Sequence, residues 1–222
     1  MTKTVLLLIV ALAQPLACRA ADTPPPTLLQ IAGVRLPEAK LSDSVLLIID
    51  AQREYTDGRL PLTGIDAAIL ETALLLKRAR HAGTPVIHIV HHGKPGGALF
   101  DPAGPFVNIV PQLAPLPGET IIVKSLPNSF AATGLEKRLT ELGRKNLLVV
   151  GFMTHMCVSA TVRAALDLGY RNTIVAGATA ERDLPDGAGG SVSAAQLQKA
   201  ELAALADRFA AIVPHADEIA EH

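Results

Sequence analysis

Three residues with complementary chemistry follow three apolar runs of the chain. SVLLIID ends in Asp50, ETIIVK ends in Lys124, and NLLVVGF leads through a short hinge to Cys157. A thiolate is a strong nucleophile, and a neighbouring cation or a helix N-terminus raises its population. A carboxylate can take the thiol proton, and an ammonium can hold that carboxylate in place. Together these groups predict nucleophilic catalysis by Cys157, with Asp50 as the base and Lys124 as its partner.

Each of the three residues also has a simpler interpretation. A strand-end Asp often caps a loop or helix, a strand-end Lys is often a solvated charge, and Cys in an apolar setting is often inert core. Their equivalent positions on separate strands favour the chemical interpretation. In an open parallel α/β sheet, ligands bind outside the carboxyl ends of the strands, near the point where the strand order reverses.

The elements that must position these residues follow from the apolar pattern. From residue 44 onwards, continuous apolar runs alternate with amphipathic segments; the runs are SVLLIID, PVIHIVHH, ETIIVKS, NLLVVGF, NTIVAGA and AAIV. Such strands are buried on both faces, so the pattern predicts an α/β fold of three layers with a doubly wound parallel sheet. Residues 59–63 and 93–118 carry Pro and Gly and are predicted to be loops that shape the site.

The composition favours a small-molecule partner. The 222 residues are 49% apolar, and 20 basic against 21 acidic residues leave a net charge of −1, as expected for one globular domain without a nucleic-acid footprint. Aromatic residues make up only 3% of the chain and Trp is absent, so stacking platforms for bases are not expected.

The first 20 residues have the composition of a secretory signal. MTK is a positive start, VLLLIVALA is a short apolar run, and a small-residue segment ends at Ala20. We therefore expect export, with a periplasmic location and no membrane span after cleavage; acylation of Cys18 or a retained helix are the alternatives. An extended arm over 21–43 and a domain over 44–222 would follow. Cleavage would leave Cys157 as the sole cysteine, so no internal disulfide is expected.

Longer motifs around the three residues resemble a known family. LLIIDAQ around Asp50, NSF after Lys124, and GFMTHMCVSATVRAALDLGY around Cys157 resemble the isochorismatase-like cysteine hydrolases, over about 44–213. This superfamily includes nicotinamidases and ureido-group amidases. The resemblance implies a six-stranded sheet and an Asp50–Lys124–Cys157 triad that forms a thioester on Cys157. It also implies an oxyanion hole of the Met153 and Cys157 amides and a cis peptide bond before Met153.

Further side chains are candidates for contact with the substrate. Gln52 is placed to orient the substrate or the Asp50 carboxylate, or is a plain polar loop residue. The aromatic candidates either wall a pocket or belong to the core. The complete predicted set is Gln52, Tyr55, Phe100, Asn128, Ser129 and Phe130.

No metal and no other cofactor are expected. Nicotinamidases of the resembled superfamily bind a divalent ion through an Asp-x-His pair and another His, but here Asp57 is followed two places on by Arg59. His91 and His92 are adjacent on a predicted strand, so their side chains point to opposite faces and cannot easily share one ion.

The predicted function is hydrolysis of a small C–N bond, either an amide or a ureido group, through a thioester. Two alternatives stay open: vinyl-ether hydrolysis of isochorismate, which does not need a thiol, and a non-catalytic protein that holds a small ligand on the same fold. The resemblance implies a homo-oligomer, either a dimer or a tetramer. The apolar last helix with its Ala-rich face could form an interface, although a core-facing helix has the same pattern.

Overall fold

The computed structural model describes residues 24–37 and 39–222, and the predicted signal segment 1–20 lies outside them. The strands are β1 (Ser44–Ile49), β2 (Val86–His91), β3 (Thr120–Lys124), β4 (Asn146–Phe152), β5 (Arg171–Ala180), β6 (Leu184–Pro185), β7 (Ser191–Val192) and β8 (Ala210–Val213). The helices are α1 (Leu28–Ile31), α2 (Ile65–His81), α3 (Leu135–Leu142), α4 (Ser159–Asp167) and α5 (Ala194–Arg208).

The main sheet has six parallel strands in the order β3-β2-β1-β4-β5-β8. The chain builds the sheet outwards from β1 in one direction and outwards from β4 in the other. The order therefore reverses between β1 and β4, and the crevice at their carboxyl ends is the expected ligand position in such a fold. The predicted doubly wound parallel sheet is confirmed.

Alternation along β1 divides the interior into two cores. Leu46 and Ile48 pack into the core beneath α2, while Val45, Leu47 and Ile49 pack into the opposite core beneath α3, α4 and α5. Every residue of β1 is buried, as a central strand with a helical layer on each face requires. The predicted three-layer architecture is thus confirmed.

The β3 edge of the sheet is covered less completely than the centre. The connection from β2 to β3 carries two short 3₁₀ turns, Pro105–Val107 and Pro111–Leu113, where a doubly wound fold commonly has a helix. Ile121 and Val123 on β3 are consequently 53% and 49% exposed. Loop 93–118, predicted as a site-shaping segment, thus also determines how much of this edge meets solvent.

The segment before the sheet is not extended throughout, in contrast to the arm predicted over 21–43. Its described part includes the single turn α1 and a 3₁₀ turn, Leu41–Asp43. The Leu28 amide donates to Asp207 of α5, and the Leu41 amide donates to the Ala220 carbonyl, so the segment packs along the domain. Within the described ranges no helix has the length and apolar character needed to cross a membrane.

Candidate active site

Asp50 is delivered to the crevice by the end of β1. Its φ of 51° lies in the left-handed region, which Asp and Asn tolerate better than most residues. This sharp turn directs the fully buried carboxylate into the crevice instead of continuing the strand. Among the described residues, Asp50 Oδ1 has no hydrogen-bond donor, so a lone pair is available there to accept a proton.

Lys124 reaches the same point from the end of β3, two strands away. Its Nζ lies 2.7 Å from Asp50 Oδ2 and 3.3 Å from Cys157 Sγ, and its side chain is fully buried. A buried ammonium is stable only when it is paired, and the Asp50 carboxylate supplies the opposite charge. The predicted proximity of these three residues is therefore present in the structure.

Cys157 lies in a five-residue π-helical turn, Thr154–Val158, between β4 and α4. π-helical turns are rare in proteins as a whole, and those that occur are often found at functional sites. The peptide bond between Phe152 and Met153 at the start of this turn is cis, as the family resemblance implied. Only 5% of Cys157 is exposed, so the thiol lies beneath the surface of the crevice.

The electrostatics favour a protonated thiol at rest. Burial, with a further contribution from the Asp50 carboxylate, raises the pKa of Cys157 to about 12, against the opposing effect of Lys124. The Lys124 ammonium lowers the pKa of the thiol, as expected of a nearby cation, but desolvation and the Asp50 charge outweigh it and the net shift is upwards. Burial also raises the pKa of Asp50, despite Lys124, which makes its carboxylate a better base than an exposed one.

His91 belongs to the site, although the sequence led us to consider it only as a metal ligand. It is the last residue of β2 and is paired in register with Lys124 on β3. Its Nδ1 lies 3.1 Å from Lys124 Nζ. Burial, followed by the nearby ammonium, lowers the pKa of His91 to about 4, so the ring is neutral at neutral pH. Its end-of-strand position was the signal that could have identified it.

Glu181 is a second residue that the sequence did not single out. Its buried carboxylate accepts a hydrogen bond from the His155 backbone amide and pairs with the His155 ring at Nδ1. Both contacts hold the start of the turn that carries Cys157. The His155 side chain is thus engaged with Glu181.

Gln52 is fully buried and bonds to backbone groups. Its amide nitrogen donates to the carbonyls of His91 and Val107, and its oxygen accepts from the His91 amide. Through these contacts, the Gln52 side chain joins the end of β2 to loop 93–118. The geometry therefore supports a structural contribution for Gln52 more than direct substrate contact.

The remaining predicted substrate contacts divide into two groups. Tyr55 and Phe100 are buried, with their rings edge to face at 5.3 Å, and Phe100 makes the same kind of contact with His91 at 5.1 Å. This pair therefore lies beside the triad. Since 7% of Phe100 and 2% of Tyr55 are exposed, both also pack in the core.

Residues 128–130 are held by other parts of the protein. Asn128 accepts a hydrogen bond from the Phe130 amide, and Ser129 bonds to Thr161 of α4. The Phe130 ring stacks on Tyr170, which lies directly before β5, at its end away from the triad. The structure thus brings Phe130 to Tyr170, and these contacts give no support to substrate binding by the three residues.

A cation-binding arrangement does exist in the site, but an amino acid supplies the cation. Ligand atoms of Asp50, His91 and Cys157 lie within 4.8 Å of one another, a donor set that Zn²⁺ accepts in proteins. The Lys124 ammonium is within 3.3 Å of an atom of each residue and uses the same lone pairs. Asp57, the other acidic residue considered, pairs with Arg53 at the surface. Three-ligand coordination of a metal would therefore require displacement of Lys124.

Comparison with known proteins identifies one family. The isochorismatase domain model matches residues 44–217. An isochorismatase from Pseudomonas putida KT2440 is 46% identical, with a TM-score of 0.85 over 88% of this chain and 100% of its own chain. A secreted isochorismatase effector of Verticillium dahliae is 38% identical over 83% of this chain and 95% of its own length. A streptothricin hydrolase of Streptomyces noursei is 36% identical over 77% of this chain and 68% of its own length.

Proposed function

The chain belongs to the isochorismatase family and is a hydrolase, and on this basis we propose that it cleaves a small amide or ureido C–N bond through a thioester on Cys157. The observation that carries the proposal is the convergence of a carboxylate, an ammonium and a thiol on one buried point at the switch in strand order. A nucleophilic thiol suits an acyl carbon that bears a nitrogen leaving group. Vinyl-ether hydrolysis does not require a nucleophilic thiol.

In the first half of the proposed reaction, Cys157 Sγ attacks the carbonyl carbon while Asp50 takes the thiol proton. The amides of Met153 and Cys157 stabilise the resulting oxyanion. The protonated Asp50 then gives its proton to the leaving nitrogen as the C–N bond breaks. An amine or ammonia departs, and the acyl group remains on sulfur as a thioester.

The second half regenerates the enzyme. Water attacks the thioester carbon, Asp50 accepts a proton from the water, and the C–S bond breaks to release a carboxylic or carbamic acid. The proton returns to Sγ. Lys124 fixes the Asp50 carboxylate in both halves of the reaction. Because burial keeps the resting thiol protonated, proton transfer to Asp50 accompanies the attack on substrate, in contrast to enzymes that store a thiolate.

The test combines product release with trapping of the covalent intermediate. A panel of small amides, ureido compounds and isochorismate is incubated with the parent, Cys157→Ala and Cys157→Ser; ammonia or amine is quantified for the nitrogen compounds and pyruvate for isochorismate. We expect release by the parent, a loss of at least 10³-fold in both variants, and an acyl adduct on Cys157 in quenched samples. Hydrolysis of isochorismate that survives Cys157→Ala would instead establish the ether-hydrolase alternative.

A non-catalytic ligand-binding protein is the remaining alternative. It predicts saturable binding of a panel compound, measured by calorimetry, without turnover and without an adduct on Cys157. That result would reject the hydrolytic proposal for the compound tested.

We propose that the chain is exported. The supporting features are the signal-like composition of residues 1–20, which lie outside the described residues, and a relative whose name describes it as secreted. Intact mass of protein from a periplasmic fraction should lack residues 1–20. A lipid-sized mass increase that disappears in Cys18→Ser would establish the lipoprotein alternative, and an unprocessed chain would contradict export by cleavage.

We also propose a homo-oligomer. The exposed apolar side chains on the β3 edge support self-association, because soluble monomers usually protect such edges. Only Ala194 and Leu205 of α5 are fully buried, so much of this last helix also remains accessible.

A further inference from the structure

The Lys124 ammonium has three close neighbours that can accept its protons. They are Asp50 Oδ2 at 2.7 Å, His91 Nδ1 at 3.1 Å and Cys157 Sγ at 3.3 Å. An ammonium carries three N–H groups and no lone pair, so each neighbour can take one proton. His91 Nδ1 must therefore be the unprotonated nitrogen of the ring. Among the described residues, each N–H of the Lys124 ammonium thus has an acceptor, and His91 supplies the one that does not belong to the triad.

His91 is itself held in place on several sides. Gln52 accepts from its backbone amide at 2.8 Å and donates to its carbonyl at 2.9 Å, while Phe100 packs edge to face against its ring. The register of β2 and β3 sets His91 directly beside Lys124. This support restricts the ring to one orientation and so fixes the direction of its lone pair.

We propose that His91 is a positioning residue that acts through Lys124, by binding one ammonium proton and directing the other two at Asp50 and Cys157. The proposal rests on the hydrolytic function proposed above. Without this acceptor, one buried N–H loses its partner and the ammonium turns or shifts to find another. The N–H that faces sulfur is then less well aimed. Thiolate formation during attack loses part of its stabilisation, while substrate contacts elsewhere stay unchanged.

Two substitutions separate positioning from simple packing. His91→Leu fills similar space without an acceptor, whereas His91→Asn can place an amide oxygen near the original Nδ1. We expect kcat to fall about 10- to 100-fold in the Leu variant with KM changed less than threefold, as for an interaction that matters mainly in the transition state. His91→Asn should recover most of the lost kcat. His92→Leu is the matched control and should behave as the parent, since the hydrogen bond from His92 to Lys124 joins backbone atoms.

A second measurement needs no substrate, so it tests the role of His91 even if the proposed hydrolytic function is wrong. The rate of Cys157 alkylation by iodoacetamide is measured at one fixed pH near 9, with thermal unfolding as the check that each variant is folded. We expect alkylation to slow at least threefold in His91→Leu and to recover in His91→Asn. An equal or faster rate in a folded Leu variant, or an Asn variant no better than Leu, would overturn the positioning role.

Discussion

Asp50 lies beside Cys157, and its charge adds to the effect of burial that favours a protonated thiol at rest. Their ligand atoms are within 4.8 Å, and the carboxylate charge is one of the causes that raise the pKa of the thiol. At the residue scale, the Asp50 carboxylate therefore disfavours ionisation of the Cys157 thiol, although the proposed reaction requires Asp50 to accept the proton of that thiol.

The effect of Asp50 on the thiol can be measured directly. Removing its charge in Asp50→Asn should lower the pKa of Cys157 below about 12, so the thiolate fraction at pH 9 rises, about tenfold for each unit of pKa. Alkylation should accelerate while hydrolysis is lost. The rate of mass increase with iodoacetamide between pH 7 and 10.5 checks this. Slower labelling of a folded Asp50→Asn protein would contradict it, and Asp57→Asn, at the surface, should match the parent.

Strand ends were informative at the residue scale, but burial was not visible in the sequence. Asp50, Lys124 and Cys157 could be proposed because each follows an apolar run at the same edge of one sheet. The direction of the thiol pKa shift could not be predicted, because it depends on how completely loops and helices exclude water. His91 was passed over because the sequence does not show which face of β2 its ring occupies.

At the element scale, Glu54 joins the two loops beside the site. Its buried carboxylate accepts hydrogen bonds from the Arg59 amide at 2.7 Å and the Phe100 amide at 2.9 Å. Glu54 thus joins residues 53–63 to residues 93–118, together with the hydrogen bond from the Arg53 amide to the Asn108 carbonyl. Charge-assisted bonds of this kind are stronger than neutral ones.

Glu54→Ala should loosen both loops without unfolding the sheet. Two amides lose their acceptor, at a cost of about 1–3 kcal/mol each if they stay buried, so we expect the free energy of unfolding to drop by about 2–4 kcal/mol. Denaturant unfolding measures that change, and limited proteolysis should show earlier cleavage within 93–118. Glu54→Gln should be milder, and Asp57→Ala should have little effect. Unchanged proteolysis would show that other contacts hold the loops.

Gly151 permits the close approach of β4 and β1 just before the turn that carries Cys157. Its φ is +119°, and a Cβ atom at this position would lie 2.0 Å from the Ile49 carbonyl oxygen. No side chain fits there unless the strands separate.

Gly151→Ala should therefore be strongly destabilising, by about 3 kcal/mol or more, because it combines backbone strain with a steric clash against backbone. Soluble yield and the midpoint of denaturant unfolding provide the measurement. Gly134→Ala is the matched control, since a Cβ there meets nothing within 4 Å, and it should change stability by less than about 0.5 kcal/mol. Similar midpoints for the two variants would disprove the account of Gly151.

The strands and helices could be predicted because the pattern of apolar residues that indicates them is local in the sequence. The unusual backbone conformations at the site could not be predicted. The apolar runs lie on the six strands of the sheet, and the loop at 93–118 carries no long helix. The π-helical turn at Thr154–Val158 and the positive φ of Asp50 have no periodic signal. The π-helical turn depends on contacts such as those of Glu181 with His155, which come from another part of the chain.

At the scale of the whole molecule, the β3 edge is the surface most suited to a second subunit. Leu116, Ile121, Val123 and Leu126 are each about half exposed and lie on or next to this strand. Exposed apolar residues on a sheet edge mark a surface for association.

We expect the parent protein to be at least dimeric at micromolar concentration and the double variant Ile121→Lys with Val123→Lys to be monomeric. Lysines on an edge strand oppose pairing through charge and solvation. Light scattering coupled to size exclusion gives the mass of each. Leu70→Lys, at a 67% exposed site on α2, is the control and should keep the parental mass. A monomeric parent, or a variant that still assembles, would contradict the use of this edge.

The burial of Cys157 also affects how readily its thiol is oxidised. Peroxides and disulfides react with the thiolate, and they must reach the sulfur to do so. A thiol that is 5% exposed and has a pKa of about 12 meets neither condition in the resting enzyme. The Cys157 sulfur should therefore remain reduced in surroundings that would oxidise an exposed, ionised cysteine.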